Sequence, residues 1–146
     1  MPVKTVSFSK LKKKMDARGG KALDILVRKA GTVYVLAVTR DKCPSCEKQK
    51  PLFEKLSGKM KDKYAAQVEF LRVRSSYNPE EPKQCLDAFQ TIGFPTYIIA
   101  VKNGSNNCET YRSLEPPMSE IERNTKSGVR LVSWLKSRKG MKVTVA

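Results

Sequence analysis

The spacing of apolar residues along the chain predicts helices that alternate with strands. An apolar residue every three or four positions predicts a first helix that begins at Ser7 or Ser9 and ends at Gly19. A second apolar stripe covers residues 23–30, and Gly31 follows it where a left-handed residue would end a helix. We expect each helix to pack one apolar face against the rest of the protein.

The unbroken apolar run at 33–38 predicts a central strand that is covered on both faces. Val68, Phe70, Leu71 and Val73 predict another strand, and residues 96–101 predict a third. The turn-forming residues 103–107 then predict a hairpin into a further strand at 108–112. This order predicts an α/β fold with a central mixed sheet of four or five strands flanked by helices.

Three further helices are expected between and after these strands. The first begins at the cysteine Cys43 and should kink at Pro51, because proline removes a backbone donor inside the helix. A polar loop at 75–82 leads to the second, which should end at Gly93, and the last should stop at Gly140. We interpret residues 1–146 as one domain with a helical N-terminal extension of about 20 residues.

The charge of the chain is strongly positive and contains no histidine contribution. Lys and Arg number 29 against 14 acidic residues, which gives a net charge of +15. Such a field attracts polyanions, although basic residues spread along a chain more often form a solvated surface. The densest runs are Lys10 to Lys14 and Lys136 to Lys139. Without histidine, neither a Ser/His nor a Cys/His nucleophile pair can form.

No apolar segment reaches the length of a signal peptide near Met1, or of a membrane span elsewhere. The four cysteines do not form the dense pattern of a small extracellular domain. We therefore expect a soluble protein without membrane association in a reducing compartment. The cytoplasm is the expected location, and a virion is the alternative.

Two cysteines three positions apart, Cys43 and Cys46, are the strongest chemical feature of the sequence. Cys43 falls at the predicted start of a helix, where backbone N–H groups stabilise a thiolate and lower the pKa of the thiol. Lys42 and Lys48 would add to that effect. Cys46 lies one helical turn further, close enough to attack a mixed disulfide on Cys43.

A C-x-x-C pair also forms half of many zinc sites. A four-cysteine zinc site would normally need a second such pair, whereas Cys85 and Cys108 are isolated in the sequence. The pattern favours redox chemistry over zinc binding, and we predict neither a metal nor a cofactor. Cys85 and Cys108 are interpreted as inert core residues.

The chain resembles the thioredoxin family over roughly residues 23–139. The resemblance is carried by the strand 33–38 that leads into Cys43-Pro44-Ser45-Cys46, by Pro51 in the following helix and by Gly93-Phe94-Pro95-Thr96. The hairpin at 97–111 and the closing helix complete it. The combination is more specific than any of these features alone.

The resemblance implies a site and a set of partners. It implies a cis bond before Pro95, facing the cysteines, and a substrate segment held by Phe94, Pro95 and Thr96. The active-site motif would comprise Lys42, Pro44 and Ser45 beside the catalytic Cys43 and Cys46. The implied partners are protein disulfides or dithiols and an electron donor similar to thioredoxin reductase.

Three departures from the family limit what the resemblance implies. Thioredoxins usually carry Gly-Pro between the cysteines and Trp before the first, where this chain has Pro44-Ser45 and Lys42. The Gly-Gly pair that binds glutathione in glutaredoxins is replaced by Lys102-Asn103-Gly104, which disfavours glutathione as an obligate partner. The buried acid of thioredoxins is replaced by Ala37, so water, Asp41 or Glu69 would have to accept the proton of Cys46.

Two functions follow from these observations. In the first, the protein is a thiol–disulfide oxidoreductase that supports electron transport, with Cys43 attacking and Cys46 resolving. In the second, it is a basic binding or packaging protein with the same fold that makes nonspecific contact with nucleic acid or an acidic partner. The cysteine pair favours the first.

Overall fold

The computed structural model describes residues 3–102 and 108–145, with side chains described as far as residue 137. Its strands are β1 (Val3–Ser7), β2 (Val33–Arg40), β3 (Val68–Ser75), β4 (Thr96–Lys102) and β5 (Cys108–Leu114). Its helices are α1 (Phe8–Arg18), α2 (Ala22–Leu26), α3 (Pro44–Tyr64), α4 (Glu80–Phe89) and α5 (Met118–Val145). A short 3₁₀ turn, Ala65–Gln67, joins α3 to β3.

The strands form one mixed, five-stranded sheet in the order β1-β3-β2-β4-β5. The β1, β3 and β2 strands are parallel, whereas β4 runs antiparallel to β2 and β5 antiparallel to β4. Helices flank this sheet, which confirms the predicted α/β class. The central strand, β2, is buried at every residue from Val33 to Thr39, as its unbroken apolar run predicts.

Alternate residues of β2 feed two separate cores, because successive side chains of a strand point to opposite faces. Val33, Val35 and Ala37 pack with the apolar faces of α3 and α5. Leu36 and Val38 pack on the other side with residues of α1, α2 and α4. The α5 helix packs closely on the sheet at Gly128, since a Cβ there would lie 3.0 Å from Cγ1 of Val33.

Cys85 lies in the second of these cores and is fully buried. Burial raises the pKa of its thiol to about 12, with a smaller contribution from the carboxylate of Glu81. Burial also raises the pKa of Cys108, which is half-buried on β5. Both are free cysteines whose thiolates are disfavoured.

The N-terminal extension was expected to be helical, and this is wrong for Val3–Ser7. That segment is β1, which pairs in parallel with β3 from Val3 opposite Phe70 to Ser7 opposite Arg74. A five-residue strand at a sheet edge forms because it pairs with its neighbour. That pairing cannot be recognised from the sequence of the strand itself. The predicted helix does follow it, and α1 ends at Gly19 in the left-handed conformation.

Three helix boundaries also differ from the expectations. The α2 helix ends at Leu26, so Gly31 has a positive φ of 87° but does not cap it. The α4 helix begins within the expected loop, with Pro82 in its first turn where a missing N–H costs little. It ends before Gln90, which adopts the left-handed conformation in place of Gly93.

The last helix is longer than predicted, and the two strands of the hairpin pair as predicted. The α5 helix continues through Gly140, because one glycine lowers helix propensity by only about 1 kcal/mol and does not end a long helix by itself. The α3 helix contains Pro51 in its interior, as predicted. The turn predicted at residues 103–107 lies outside the described residues, between two strands that pair as expected.

Phe53 on α3 gives a direct test of the core beneath the cysteine helix. Its ring is fully buried, with centroids 5.4 Å from Phe70 and 5.3 Å from Tyr97. We predict that Phe53→Ala lowers the free energy of unfolding by about 3–5 kcal/mol. Guanidinium unfolding followed by circular dichroism measures this loss.

The neighbouring Leu52 is the matched control, because its side chain is 50% exposed. Leu52→Ala should change the free energy of unfolding by less than about 1 kcal/mol. Similar losses for the two variants would contradict the orientation of α3 on the sheet.

Candidate active site

The cysteine pair lies where β2 gives way to α3. After Arg40 the chain passes through Asp41 and Lys42, and Lys42 adopts a positive φ of 56°. Cys43 is then the N-cap of α3, and Pro44 occupies the first turn. Proline suits that position because its fixed φ is already helical and no backbone donor is lost there.

Cys43 and Cys46 are joined as a disulfide, with Cα atoms 5.2 Å apart. The backbone N–H of Cys46 donates to Sγ of Cys43 at 3.2 Å. The Cys43 sulfur therefore receives a free donor of the first helical turn, as the sequence position predicts. Exposure does not distinguish the two residues, because Cys43 and Cys46 are 5% and 6% exposed.

The other residues of the motif have different surroundings. The Lys42 ammonium lies 3.9 Å from the centroid of the Tyr77 ring, so a cation–π contact holds it there. Pro44 and Lys48 are exposed, and Ser45 is half-buried. The polar contact described for the Cys43 sulfur is the hydrogen bond from the Cys46 N–H within the first turn of α3.

The segment around Pro95 approaches the same edge of the sheet. Val38 lies opposite Thr96 in the antiparallel register of β2 and β4, so Pro95 is next to the residues that lead to Cys43. The Arg40 guanidinium lies 5.9 Å from the centroid of the Phe94 ring. The Phe94–Pro95 peptide bond is cis.

Thr96 has no free side-chain group for a ligand. It is 1% exposed, and its hydroxyl donates to the backbone oxygen of Gly93 at 2.7 Å. The same hydroxyl lies 2.7 Å from that of Thr91. Phe94 is half-buried and Pro95 is buried. Any contact with substrate at Thr96 would therefore involve its backbone.

A cavity of about 370 Å³ opens beside Cys46, on the face of the sheet covered by α3. Thr5 and Thr39 contribute to its wall from the strands. Its charged lining residues are Arg40, Asp41, Glu47, Lys50, Arg72 and Arg74. The resolving cysteine thus adjoins a polar cavity with more basic than acidic side chains.

Arg72 is a buried cation in the wall of this cavity, and the sequence did not single it out. It is only 9% exposed, although it carries a charge. Its Nη2 atom lies 3.6 Å from Oε1 of Glu54 and has no hydrogen-bond partner in the described part of the chain. A buried guanidinium therefore lines the same cavity as Cys46.

The register of the sheet places Arg72 beside Ala37, with Tyr97 on the other side of Ala37. Burial raises the pKa of Tyr97 to about 12, and the charge of Arg72 acts in the opposite direction. Ala37 itself is 2% exposed and belongs to the core under α3. The position that carries an acid in thioredoxins is thus apolar here and adjacent to a buried cation.

The proton acceptors suggested by the sequence are separated by the fold. Asp41 lines the cavity, where its two oxygens accept hydrogen bonds from Arg74 at 2.6 Å and 3.2 Å. Glu69 lies opposite Tyr34, towards the other end of β2, and forms an ion pair with Lys61 at 3.6 Å. The interpretation of Glu69 as an acceptor for Cys46 is therefore wrong, while Asp41 and water remain.

Two further observations bear on the class of site. Within residues 3–102 and 108–145, no three His, Cys, Asp or Glu side chains are grouped so that they could hold a metal ion. No helix in the same part of the chain is long and apolar enough to cross a membrane.

Comparison with known proteins gives matches to solved structures. No protein-family model matches the chain. No curated protein sequence gives a significant match. Thioredoxin from Trichomonas vaginalis superimposes with a TM-score of 0.58 at 14% identity, covering 86% of this chain and 96% of that one. The short form of thioredoxin f from spinach chloroplast gives a TM-score of 0.57 at 16% identity, covering 87% and 93%.

Thioredoxin from Fasciola hepatica gives a TM-score of 0.53 at 16% identity and covers 88% of this chain and 99% of that chain. At these identities the similarity establishes the fold. The sheet order, the flanking helices and the position of the C-x-x-C pair agree with it. The chain therefore has a thioredoxin-like fold, with its cysteine pair at the start of the helix that follows the central strand.

Proposed function

We propose that the protein is a thiol–disulfide oxidoreductase in which Cys43 attacks a substrate disulfide and Cys46 resolves the product. The observation that carries this proposal is the hydrogen bond from the Cys46 N–H to Sγ of Cys43 at the start of α3. A sulfur that accepts such a bond is stabilised as a thiolate, which is the nucleophile in disulfide exchange.

The exchange proceeds in two balanced steps. The Cys43 thiolate bonds to one substrate sulfur, and the substrate S–S bond breaks to release the other sulfur as a thiolate. Cys46 then loses its proton and attacks Sγ of Cys43, which breaks the mixed disulfide and releases the second substrate thiolate. Two electrons pass from the cysteine pair to the substrate, and an electron donor must return the pair to the dithiol.

The cavity beside Cys46 supports the second step. Arg40, Lys50, Arg72 and Arg74 line it together with Cys46, and we propose that their positive charge favours the negative charge that forms on the Cys46 sulfur. The space is large enough for water, and Asp41 lies on its wall. We propose that the proton leaves Cys46 through this cavity, by water and with Asp41 as the nearest carboxylate in its lining.

The substrates in this proposal are proteins with disulfides or dithiols in extended segments. The backbone of the half-buried Phe94 lies at the same edge of the sheet as the cysteines, and we propose that such a segment pairs with it. The electron donor would be similar to thioredoxin reductase, and a reducing compartment such as the cytoplasm would suit the dithiol form.

The order of attack can be tested by trapping. We predict that Cys46→Ser accumulates a mixed disulfide between Cys43 and a protein substrate such as insulin, because the resolving thiol is missing. Non-reducing electrophoresis and mass spectrometry of the linked peptide measure the product.

Cys43→Ser is the matched control and should trap little substrate. Both variants should lose insulin reduction by at least about 100-fold, since neither can complete the exchange. Trapping through Cys46 in the Cys43→Ser protein, with none in the other variant, would reverse the assigned roles.

Ala37 provides a test of proton removal from Cys46. We predict that Ala37→Asp accelerates the release of reduced substrate near neutral pH, because it places a carboxylate next to Arg72 on the face under α3. The same change should lower the free energy of unfolding by about 1–3 kcal/mol, since a charge enters an apolar core. Single-turnover exchange and guanidinium unfolding measure the two effects.

Val38→Asp is the control, because Val38 packs into the core on the opposite face. It should also destabilise the protein, but without faster exchange. Faster exchange in Val38→Asp but not in Ala37→Asp would show that Val38, and not Ala37, faces the cysteines. An unchanged rate in both variants would show that another group already moves the proton of Cys46.

A further inference from the structure

A second cavity, far richer in basic side chains, lies along the edge of the sheet that carries β1. Its volume is about 880 Å³, and it is bounded by α1, by β1 and by the segment between α2 and β2. We call it the basic groove and define it by six exposed cations, Lys4, Lys10, Lys14, Arg18, Arg28 and Lys29.

The helical repeat brings half of these cations into one row. Lys10, Lys14 and Arg18 are spaced by four residues on α1, so they share one face of the helix. The row spans about 12 Å at 1.5 Å per residue. Lys12, which belongs to the same sequence run, points elsewhere and forms an ion pair with Asp16 at 3.5 Å.

The positive charges of the groove have no acidic partner among the residues that the structure describes. None of its six cations lies within 4.0 Å of a carboxylate in the described part of the chain. Glu69 also lines the groove, but it forms an ion pair with Lys61. The result is a concave surface with unpaired positive charge on three sides.

We propose that the basic groove binds the phosphate backbone of a nucleic acid without reading its bases. Duplex DNA carries one charge per about 1.7 Å of axis, so the row on α1 spans about seven phosphate charges. Cations that neutralise them release condensed counterions, which drives binding. This site is separate from the cysteine pair and extends the activity proposed above.

The lining of the groove favours backbone contact over base stacking. Tyr34 is its aromatic residue, and that side chain is 5% exposed with its hydroxyl accepting the N–H of Lys29. Stacking on single-stranded bases needs an exposed aromatic face. Binding should therefore depend on salt and hardly on base sequence.

An anionic membrane is a weaker match to the same surface. Interfacial binding combines basic residues with apolar side chains that enter the lipid. The large exposed apolar side chains of the described residues include Leu52, Ile92 and Trp134, and none of them lines the groove. A nucleic acid needs no such insertion.

The test uses the full chain and a fluorescein-labelled 20-base-pair DNA duplex, with anisotropy measured between 50 and 300 mM NaCl. The logarithm of the binding constant should fall linearly with the logarithm of salt concentration, by about 0.9 per phosphate contacted. The variant with Lys10→Gln, Lys14→Gln and Arg18→Gln should bind at least about tenfold more weakly at 50 mM salt. The slope of its log binding constant against log salt concentration should be shallower, by an amount that corresponds to about three phosphate contacts.

The matched control removes the same charge elsewhere. Lys55, Lys63 and Lys83 are exposed and lie outside the groove, so Lys55→Gln, Lys63→Gln and Lys83→Gln together should keep most of the affinity and the salt dependence. Arg28→Gln with Lys29→Gln is a second groove variant outside any helix and should also weaken binding. Circular dichroism and insulin reduction confirm that each variant is folded.

Equal weakening by the groove and control triple variants would overturn the proposal, because net charge alone would then explain binding. Duplexes rich in A·T and in G·C should bind within about threefold of each other, and a large preference would contradict backbone recognition. Vesicles containing phosphatidylserine should bind more weakly than the duplex. Tighter binding to those vesicles, lost in the groove variant, would assign the groove to a membrane surface.

Discussion

The burial of β2 on both faces is the constraint on which the rest of the structure depends. Its side chains pack alternately into two cores, so the strand cannot shift or turn without exposing both. The chain must leave this strand at one edge of the sheet and enter α3, whose Phe53 anchors it to the face under Ala37. Cys43 therefore falls at a helix N-terminus with its sulfur fixed against a backbone donor. The site follows from packing that the cysteines themselves do not provide.

The elements with a strong local pattern were predictable from the sequence. An unbroken apolar run identified β2 and β4, and the spacing of Cys43, Pro44 and Cys46 placed the start of α3. Elements that depend on a distant partner were not predictable. The five residues of β1 are a strand because β3 pairs with them. Local propensity decided the first group, and tertiary context decided the second.

The charged residues around the site likewise depend on tertiary context that the local sequence does not show. The sequence shows that Ala37 is apolar, but only the register of the sheet places Arg72 beside it and beside the cavity of Cys46. An arginine between the apolar residues Leu71 and Val73 of β3 was the available signal. The basic groove likewise joins α1 to the Arg28 segment, two parts of the chain whose adjacency no local pattern predicts. A charge count of +15 describes the protein without locating either feature.

The central claim is that Cys43 and Cys46 form a reversible redox couple, and its most direct test is the reduction potential of that pair. The protein would be equilibrated with mixtures of oxidised and reduced dithiothreitol or glutathione, and the Cys43–Cys46 peptide would be quantified by mass spectrometry. We predict a single two-electron transition at a potential between about −270 and −120 mV, the range of catalytic cysteine pairs. A pair that stays fully oxidised or fully reduced across those mixtures, or that exchanges no electrons with them, would contradict it.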